Sequence, residues 1–481
     1  MLYNSSLSTY NTNDNAYTEV ESRFQSYYAN AAYTFMDKYT VNGSWRQDKS
    51  SLFGLEKSAQ SKPVYSAGLS WFISKEAFMN NLKWLDKLSI RGTYGITGNS
   101  PTPGTASSQD IISAGFGSSF YPSSTVYSIS SYANRSLTWE STRVINLGLD
   151  FGFLNQRING SLDLYDKHTT NLLGNMPANG FTGVTTIVGN LGDIINKGIE
   201  LSLNTVNIRT RNFTWSSTLN GAFNDNKITR IFTRLNATNG NSVITNNALG
   251  GFFQGYAAYA IFAYDYAGLD NMGDPQIRLS DGTITKALNA AKIEDMKFMG
   301  TYQPKWSGGF SNVFRYQQLS LSANMVYNLG HVMRRDVNTF YTGNRLAPGG
   351  GSVVNGNVHA DFANRWQQAG DEDHTDIPVW LDNSATSSSR RYLNYYIYGS
   401  NNVLDASYVK LRDITLAYRI PPMITDKLNM NQISLSIQMG NIMLWKANKY
   451  GIDPEFQNAL LGTRSQRINQ HTFSIGANVT F

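Results

Sequence analysis

The sequence has no cysteine and little charge, and these two deficits restrict the kinds of protein it can be. Without cysteine, the 481-residue chain has no disulfide, no thiolate metal site and no thiol nucleophile. Asp, Glu, Lys and Arg make up 15% of the residues, against about 25% in typical soluble proteins. The net charge of +6 is spread without Lys/Arg-rich clusters, which argues against nucleic acid as a partner.

Long apolar runs are also missing. The longest apolar stretch, around residues 256–264, is far shorter than the roughly 20 residues of a membrane-spanning helix, so any membrane insertion must use strands. The first residues, MLYNSSLSTY, have neither the basic start nor the apolar core of a signal peptide. Because a protein bound for an outer membrane needs such a signal, we expect this sequence to be a mature or partial chain.

Motifs that support catalysis are missing as well. The histidines at 168, 331, 359, 374 and 471 show no ligand spacing such as HExxH. Neither a GxSxG elbow nor a phosphate-binding Gly-rich loop occurs. The sequence therefore predicts neither an enzyme nor a cofactor.

Aromatic and small polar residues take the place of the missing charge. Phe, Tyr and Trp make up 13% of the chain, and Asn, Ser, Thr and Gly are abundant. A membrane β-barrel needs this composition, because rings face lipid and uncharged polar groups face a wet lumen. A secreted soluble β-protein has a similar composition, so composition alone does not decide between the two.

The last eleven residues, HTFSIGANVTF, alternate strictly between apolar and polar side chains. A period of two predicts a strand with two different faces. A strand that ends on a bare aromatic suits the closing position of a barrel, where both neighbours pair with it. We therefore predict a barrel-closing strand marked by Phe473, Ile475, Val479 and Phe481.

The same alternation predicts thirteen strands and suggests a fourteenth within the first ten residues. A change of phase between Leu411 and Ile414 further predicts a β-bulge near Arg412 and Asp413. The thirteen strands are predicted at about residues 27–35, 39–47, 65–73, 88–96, 147–153, 158–164, 199–203, 213–223, 310–314, 319–327, 414–420, 433–439 and 473–481.

The connections between these strands alternate between short turns and long loops, the latter at about residues 97–142, 169–196, 225–304 and 331–405. Outer-membrane barrels show this alternation, since their periplasmic turns are short and their extracellular loops long. The sequence thus predicts an all-β, transmembrane antiparallel β-barrel with its C-terminus on the periplasmic side. Fourteen strands can close a barrel, but a chain that begins in the middle of a sheet suits a larger barrel whose first strands are missing.

Seven segments, in this order and spacing, resemble the SusC/RagA-type TonB-dependent outer-membrane transporters. Any one of them is weak alone, but together they are specific. The segments are TWESTRVINLGLDFGFLNQRINGSLDLYDKHT, NLGDIINKGIELSL, GLDNMGDPQIRLSDGTIT, GTYQPKWSGGFSNVFRYQQLSLSANMVYNLG, NRWQQAGDEDHTDIPVW, DASYVKLRDITLAYRIP and KYGIDPEF.

The resemblance implies a 22-stranded barrel, of which residues 1–481 form the C-terminal part with about 14 strands. The plug domain, the TonB-contacting segment and the first strands of such a barrel have no counterpart in this sequence. The implied partners are a SusD-like surface lipoprotein acting as a lid, TonB acting through the missing N-terminal part, and outer-membrane lipid. A dimer of transporter–lipoprotein pairs is compatible with this picture.

The implied activity is energised import of oligosaccharides or peptides across the outer membrane of a Gram-negative cell. One alternative is a passive porin-like channel of 14 strands that closes by itself. Another is a SusC-like barrel that serves as a scaffold subunit of a larger outer-membrane complex without any import. A secreted adhesin or structural β-protein is the third, and it would be soluble without detergent.

Two acidic groups are candidate sites. Asp371, Asp373 and Asp376, with Glu372 and His374, supply hard ligands that suit Ca²⁺. The spacing lacks the glycine and terminal glutamate of a known calcium loop, so a solvated loop tip is the favoured interpretation. Asp453 and Glu455 resemble the acid/base pair of a glycoside hydrolase, but nothing else in the sequence supports that chemistry.

Aromatic residues of the predicted long loops are candidates for substrate contact, because aromatic faces stack on sugar rings and grip peptides. The competing interpretation is that they pack the loops together or contact the lid. Trp45, Trp71, Trp139 and Trp215 are instead predicted to lie on the barrel face at headgroup level. The wider loop set is Phe252, Phe253, Tyr256, Tyr259, Phe340, Tyr341 and Tyr398, and the main substrate-cavity candidates are Trp366, Trp380, Tyr392, Tyr395 and Tyr396.

Overall fold

Thirteen strands of this chain form one large antiparallel sheet. The structure is a computed structural model that describes residues 23–50, 61–100, 110–116, 125–134, 136–177, 186–232, 240, 243–244, 252–337, 359–381, 389–456, 458 and 471–480. Within these ranges, no helix has the length and hydropathy needed to cross a bilayer.

The described residues contain 22 strands and only short helical segments. The strands are β1 (Phe24–Phe35), β2 (Tyr39–Ser50), β3 (Ser61–Trp71), β4 (Leu85–Asn99), β5 (Ile111–Phe116), β6 (Thr125–Ser131), β7 (Glu140–Phe153), β8 (Ile158–Pro177), β9 (Thr186–Arg209), β10 (Phe213–Ile231), β11 (Ala260–Tyr264), β12 (Tyr266–Leu269), β13 (Pro275–Arg278), β14 (Ile284–Thr285), β15 (Met296–Thr301), β16 (Trp306–Tyr316), β17 (Leu319–Leu329), β18 (Val332–Arg334), β19 (Val403–Asp405), β20 (Tyr408–Arg419), β21 (Gln432–Lys446) and β22 (Thr472–Thr480). The helices are α1 (Asn394–Ile397) and α2 (Pro422–Thr425), and 3₁₀ turns span Ile73–Lys75, Ala77–Met79, Ile293–Asp295, Ala360–Asn364, Asp371–Asp373, Ser400–Asn402, Asp426–Leu428 and Pro454–Phe456.

The large sheet follows chain order, β1-β2-β3-β4-β7-β8-β9-β10-β16-β17-β20-β21-β22, with the other strands in four small sheets. Each predicted strand overlaps one strand of this sheet, which confirms the all-β antiparallel prediction. The suggested strand in the first ten residues and Phe481 lie outside the described residues. The closing role of β22 stays a prediction, because β22 pairs with β21 and has no second neighbour among the described strands.

One face of the sheet carries continuous apolar rows. In one such row, Leu416 is 42% exposed, Ile437 47% and Ile475 75%. A continuous exposed apolar face of this kind is unusual on a soluble protein. The alternation of apolar and polar positions in the sequence produces it, because every second side chain in a strand points to the same face. The full row, partner by partner from β10 to β22, is Trp215, Phe314, Leu321, Leu416, Ile437 and Ile475.

The opposite face is polar, and its side chains bond to one another across strands. The hydroxyl oxygens of Ser44 and Ser66 lie 2.7 Å apart. Arg91 donates to both carboxylate oxygens of Asp163, at 2.7 and 2.6 Å. Such uncharged or paired groups suit a wet interior surface rather than a dry core.

Connections at the two ends of the large sheet differ in length. At one end, called the short-turn end below, the connections are residues 36–38, 72–84, 154–157, 210–212, 317–318 and 420–431. At the other, called the long-loop end, they include residues 100–139, 232–305, 330–407 and 447–471. The predicted loop at 169–196 is wrong, because β8 and β9 continue through most of it and leave only residues 178–185 between them.

The predicted bulge in β20 is confirmed. Asn324 pairs with Asp413 and Met325 with Leu411, so Arg412 is the extra residue. The bulge reverses which face the following side chains occupy. Ile414 and Leu416 therefore stay on the apolar face although they are out of phase with Leu411.

The buried core lies mainly at the long-loop end and not within the sheet. Trp139, which was predicted on the barrel face, is only 6% exposed and packs with Leu137, Leu173 and Val188. That prediction is wrong because Trp139 precedes β7 and belongs to a connection. Trp45 and Trp71, by contrast, lie on the apolar face and are half exposed.

Candidate functional site: the loop module

Two long connections fold against each other at the long-loop end. We call the described residues of 252–304 and 331–406 the loop module. β12, β13 and β14 form a small sheet in the first connection, and β18 pairs with β19 in the second. The backbone N–H of Tyr264 donates to the carbonyl of Tyr398 at 3.1 Å, which joins the two connections.

The segment GLDNMGD forms the turn between β12 and β13, as its composition predicts. The Asp270 carboxylate accepts hydrogen bonds from the backbone N–H groups of Met272 and Asp274, both at 2.9 Å. Gly273 has φ +75°, a conformation that favours glycine. The ring of Trp366 from the second connection lies directly against Gly273.

A buried ion cluster fixes this turn to the second connection. The Asp274 side chain is 0% exposed and lies 3.0 Å from Lys286 Nζ, 2.7 Å from Arg390 Nε and 3.9 Å from Arg391 Nη1. Lys286 also bonds to Asp270. Burial of a carboxylate is costly unless cations and donors surround it, so these partners stabilise the arrangement together.

The same contacts shift the pKa values of Asp270 and Lys286 in this cluster. Burial acts to raise the pKa of Asp270, but hydrogen bonds from Lys286 and two backbone N–H groups outweigh burial and lower it. Burial likewise acts to lower the pKa of Lys286, but its bonds to Asp270 and Asp274 raise it overall. Both groups are therefore held in their charged forms.

Two of the predicted substrate-cavity residues are packed inside the module. Tyr395 and Tyr396 are both 0% exposed. The Tyr395 hydroxyl donates to the carbonyl of Ala287 at 2.7 Å, and its ring meets that of Tyr264 edge-on at 4.9 Å. In this structure these two tyrosines join the loops, which matches the packing interpretation for them.

The other three predicted cavity residues keep part of their surface accessible. Trp366, Trp380 and Tyr392 are half-buried. The indole N–H of Trp366 donates to Glu372 at 2.8 Å, and Trp380 packs beside Tyr396. Phe340 and Tyr341 lie outside the described residues.

The acidic residues at 371–376 include carboxylates that stabilise the turn in which they lie. The Asp371 carboxylate accepts from the backbone N–H groups of Gln367 and Gln368, at 2.9 and 3.0 Å. Glu372 accepts from Trp366 and from the N–H of Gly370, while Asp373 and Asp376 are exposed. Among the described residues, no group of three His, Asp or Glu side chains is arranged to hold a metal ion.

The Asp453 and Glu455 carboxylates are neutralised by β20. Buried Lys410 lies 2.7 Å from Asp453 and 2.6 Å from Glu455, and Arg412 also bonds to Glu455. Burial acts to raise the pKa of Glu455, but the hydrogen bonds from Lys410, Arg412 and Tyr408 outweigh it and lower the pKa. A general acid needs a raised pKa, so this pair does not fit glycoside hydrolysis.

Sequence reasoning missed Lys410 and Arg412 as partners of this pair. The available signal was their alternation in YVKLR, which places Tyr408, Lys410 and Arg412 on one face of the strand. Together with Asp453 and Glu455 they form an ionic contact between β20 and the connection before β22.

Comparison with known proteins identifies the family. Residues 2–442 match the family described as TonB dependent receptor-like, beta-barrel. TonB-dependent receptor P39 of Formosa agariphila is 28% identical, covering 98% of this chain and 48% of that protein. TonB-dependent receptor SusC of Bacteroides thetaiotaomicron is 32% identical over 214 residues, covering 43% of this chain and 21% of that protein.

A solved structure of the RagAB peptide transporter has the same fold. It superposes with a TM-score of 0.75 at 22% identity, covering 96% of this chain and 48% of that chain. Nearly the whole of this chain matches three curated relatives, but it spans only about half of their length. As its resemblance to SusC/RagA-type transporters predicts, the chain belongs to the TonB-dependent receptor β-barrel family of the outer membrane.

Proposed function

We propose that this chain is the C-terminal part of an outer-membrane importer for oligosaccharides or peptides. Its large sheet contributes the thirteen described strands, which with the fourteenth suggested in the first ten residues form part of a 22-stranded barrel. TonB energises import through an N-terminal part with a plug, and a SusD-like lipoprotein covers the loop module. In this arrangement the long-loop end is extracellular and the short-turn end is periplasmic.

The match to the receptor family over residues 2–442 carries this proposal. Three further observations support it. The sheet has an exposed apolar face and a polar face, as a wall between lipid and a wet lumen requires. Relatives of about twice the length leave room for a plug and for further strands. The solved relative of the same fold is described as a peptide transporter.

Within the loop module, we assign substrate contact to the half-buried aromatic side chains of Trp366, Trp380 and Tyr392. Tyr392 packs against buried Tyr395, and Trp380 packs against buried Tyr396. Asp274 holds the two connections together, so these rings rest on a fixed base. A rigid aromatic surface binds a ring or a peptide at low entropic cost.

Uptake measurements test the proposal in cells that make the full-length protein. An energised importer predicts that deleting the gene abolishes uptake of its labelled oligosaccharide or peptide, and that a protonophore abolishes uptake in the undeleted strain. Uptake that survives the protonophore would indicate a passive channel. Uptake unaffected by the deletion would indicate a scaffold.

Purification in mild detergent tests the partners. We expect the full-length protein to bring down a SusD-like lipoprotein in equal amount. If the barrel is recovered alone from cells in which the protonophore stops uptake, the lipoprotein lid is excluded. Energised import is then still supported.

A further inference from the structure

Arginines are concentrated at the short-turn end of the large sheet, in the sector from β8 to β20. Residues 154–162, 201–219, 310–323 and 414–425 contain five arginines and neither aspartate nor glutamate. In the sector from β1 to β7, by contrast, the turns at 36–38 and 72–88 contain four lysines and three carboxylates. The five arginines are Arg157, Arg209, Arg211, Arg315 and Arg419.

Three of these arginines lie on the polar face of the sheet. Thr214, on that face, pairs with Arg209 on one side and with Arg315 on the other. Arg419 lies two residues beyond Ala417, which belongs to the same row. We call Arg209, Arg315 and Arg419 the arginine arc. In the proposed barrel the polar face lines the lumen, so the arc lies along the periplasmic opening and faces away from lipid.

The arginine arc has no anionic partner among the described residues. All three side chains are exposed, and none forms an ion pair or a hydrogen bond with another described group. Arg157 differs, because its guanidinium group donates to the backbone carbonyls of Val206 at 3.1 Å and Asn207 at 2.7 Å. Arg157 therefore stabilises β9, whereas the N–H donors of the arc are available to a ligand.

The spacing of the arc suits a linear anion. Arg209 and Arg315 are two strand spacings apart, which is about 10 Å, and Arg419 lies about 12 Å from Arg315. These separations are close to the screening length of about 8–10 Å, so the three cations repel one another until an anion binds. Carboxylates on every third residue of an extended peptide are also about 10 Å apart.

The lumen wall above the arc has no charge on β10, β16 and β17. On β16 and β17 the polar-face side chains are serine, asparagine and valine, with one glycine. An anionic group that moves down this wall therefore meets hydroxyl and amide groups, and no like charge, before it reaches the arc. On β10 the polar-face residues above Thr214 are Ser216, Thr218, Asn220, Ala222, Asn224 and Asn226.

We propose that the arginine arc binds carboxylate groups of the imported oligomer as it leaves the lumen, so that the substrate is an acidic oligosaccharide or an acidic peptide. The inference rests on the proposed function and deepens it by assigning the charge of the substrate. A guanidinium group binds a carboxylate through two parallel hydrogen bonds. Three such groups along one opening favour oligomers with several carboxylates over neutral oligomers of the same length.

The test measures uptake in cells that make the full-length protein, with two matched pairs of labelled probes. One pair is an oligogalacturonate and its methyl-esterified, neutral form, and the other is a hexaglutamate and a hexaglutamine peptide. We expect the wild type to import the acidic member of one pair faster than the neutral member, and that pair identifies the kind of oligomer. Arg209→Gln with Arg315→Gln and Arg419→Gln should lower this ratio about tenfold, because the arc no longer concentrates anions.

Two further variants separate the arc from the general charge of this end. Lys75→Gln with Lys83→Gln and Lys427→Gln removes the same charge from exposed positions outside the arc, and the ratio should not change. A conservative variant, in which lysine replaces all three arginines of the arc, should retain most of the ratio. Its new amines also allow carbodiimide cross-linking to carboxylates. A cross-link to the N-terminal part of the protein would overturn the proposal, because carboxylates of the protein itself would then occupy the arc.

An acidic probe imported no faster than its neutral match, in both pairs, would also overturn the proposal. A ratio that stays unchanged when the three arginines become glutamine would do the same. The protonophore distinguishes these results from failure of the proposed function. Uptake that continues with the protonophore rejects energised import, whatever the ratio. An unchanged ratio, in cells whose uptake the protonophore stops, rejects only the role of the arginine arc.

Discussion

Gly273 shows how a single residue holds the loop module together. Its φ of +75° already favours glycine, and a β-carbon there would lie 2.6 Å from Cδ2 of Trp366 and 2.8 Å from Cβ of Val379. Gly282 has a similar φ of +87°, but nothing lies within 4 Å of its β-carbon position. The two positions thus share backbone strain and differ in crowding.

We therefore expect Gly273→Ala to destabilise the module more than Gly282→Ala. Gly282→Ala should cost about 1 kcal/mol for the left-handed backbone alone. Gly273→Ala should cost roughly 1–3 kcal/mol more, because Trp366 and Val379 must shift. Protease sensitivity of the loop module against temperature measures both, and equal costs would show that Trp366 does not press on this turn.

Glu455 gives the molecule a dependence on pH. Its folded pKa lies below the ordinary value of 4.5, since bonds to Lys410, Arg412 and Tyr408 outweigh burial. A lowered folded pKa means that the contribution of the carboxylate to stability is present above pH 4.5 and is lost as the pH falls through the folded pKa.

Acidification below pH 4.5 should accordingly release the connection before β22. Glu455→Gln should remove that pH dependence, because a neutral amide does not titrate. Hydrogen exchange of residues 448–456 as a function of pH measures the effect. A wild type and a variant with the same pH profile would contradict the assignment.

At the scale of elements, the strand segments in which apolar and polar side chains alternate could be predicted from the sequence. The segments without that alternation could not. Ile433, Leu435 and Ile437 alternate with polar residues, and β21 forms there. The outer halves of β8 and β9 do not follow from the sequence, because both faces there carry mixed side chains and leave no period of two. The bulge at Arg412 was predictable because it changes the phase of an otherwise regular row.

The two faces of β21 lead to opposite expectations for an added charge. Ile437→Arg places the charge on the apolar face and should cost about 2–4 kcal/mol if that face meets hydrocarbon. Gln438→Arg, one residue later, places it on the polar face and should cost little. Yield of heat-modifiable barrel in the outer membrane measures both, and equal yields would contradict the assignment of the faces.

At the scale of the whole molecule, the contacts that assemble the loop module join residues far apart in sequence. Asp274 and Arg390 are separated by 116 positions, and each looks like a solvated loop charge when read alone. Tyr395 and Tyr396 were substrate-cavity candidates, with packing as the alternative, for the same reason, since a sequence does not show which aromatic residues of a loop meet another loop. Local alternation predicts the sheet, whereas these partnerships require the fold.

Asp274→Asn should loosen both long connections at once. Removing the charge takes the buried anion away from Arg390, at 2.7 Å, and from Lys286, at 3.0 Å, and breaking a buried ion pair typically costs roughly 3–5 kcal/mol. We expect limited proteolysis to cut both 252–304 and 331–406 more readily in the variant. Cleavage confined to the first connection would show that Arg390 and Arg391 do not depend on Asp274, and Asp373→Asn, at an exposed carboxylate, serves as the control.

The loop module is attached to four consecutive strands of the large sheet, β10, β16, β17 and β20. Because Asp274 and the tyrosine contacts unite its two connections, the loop module is expected to move relative to the sheet as one body. Paired spin labels on the two connections should then keep a constant mutual distance, and a broad distribution of that distance would contradict the single body.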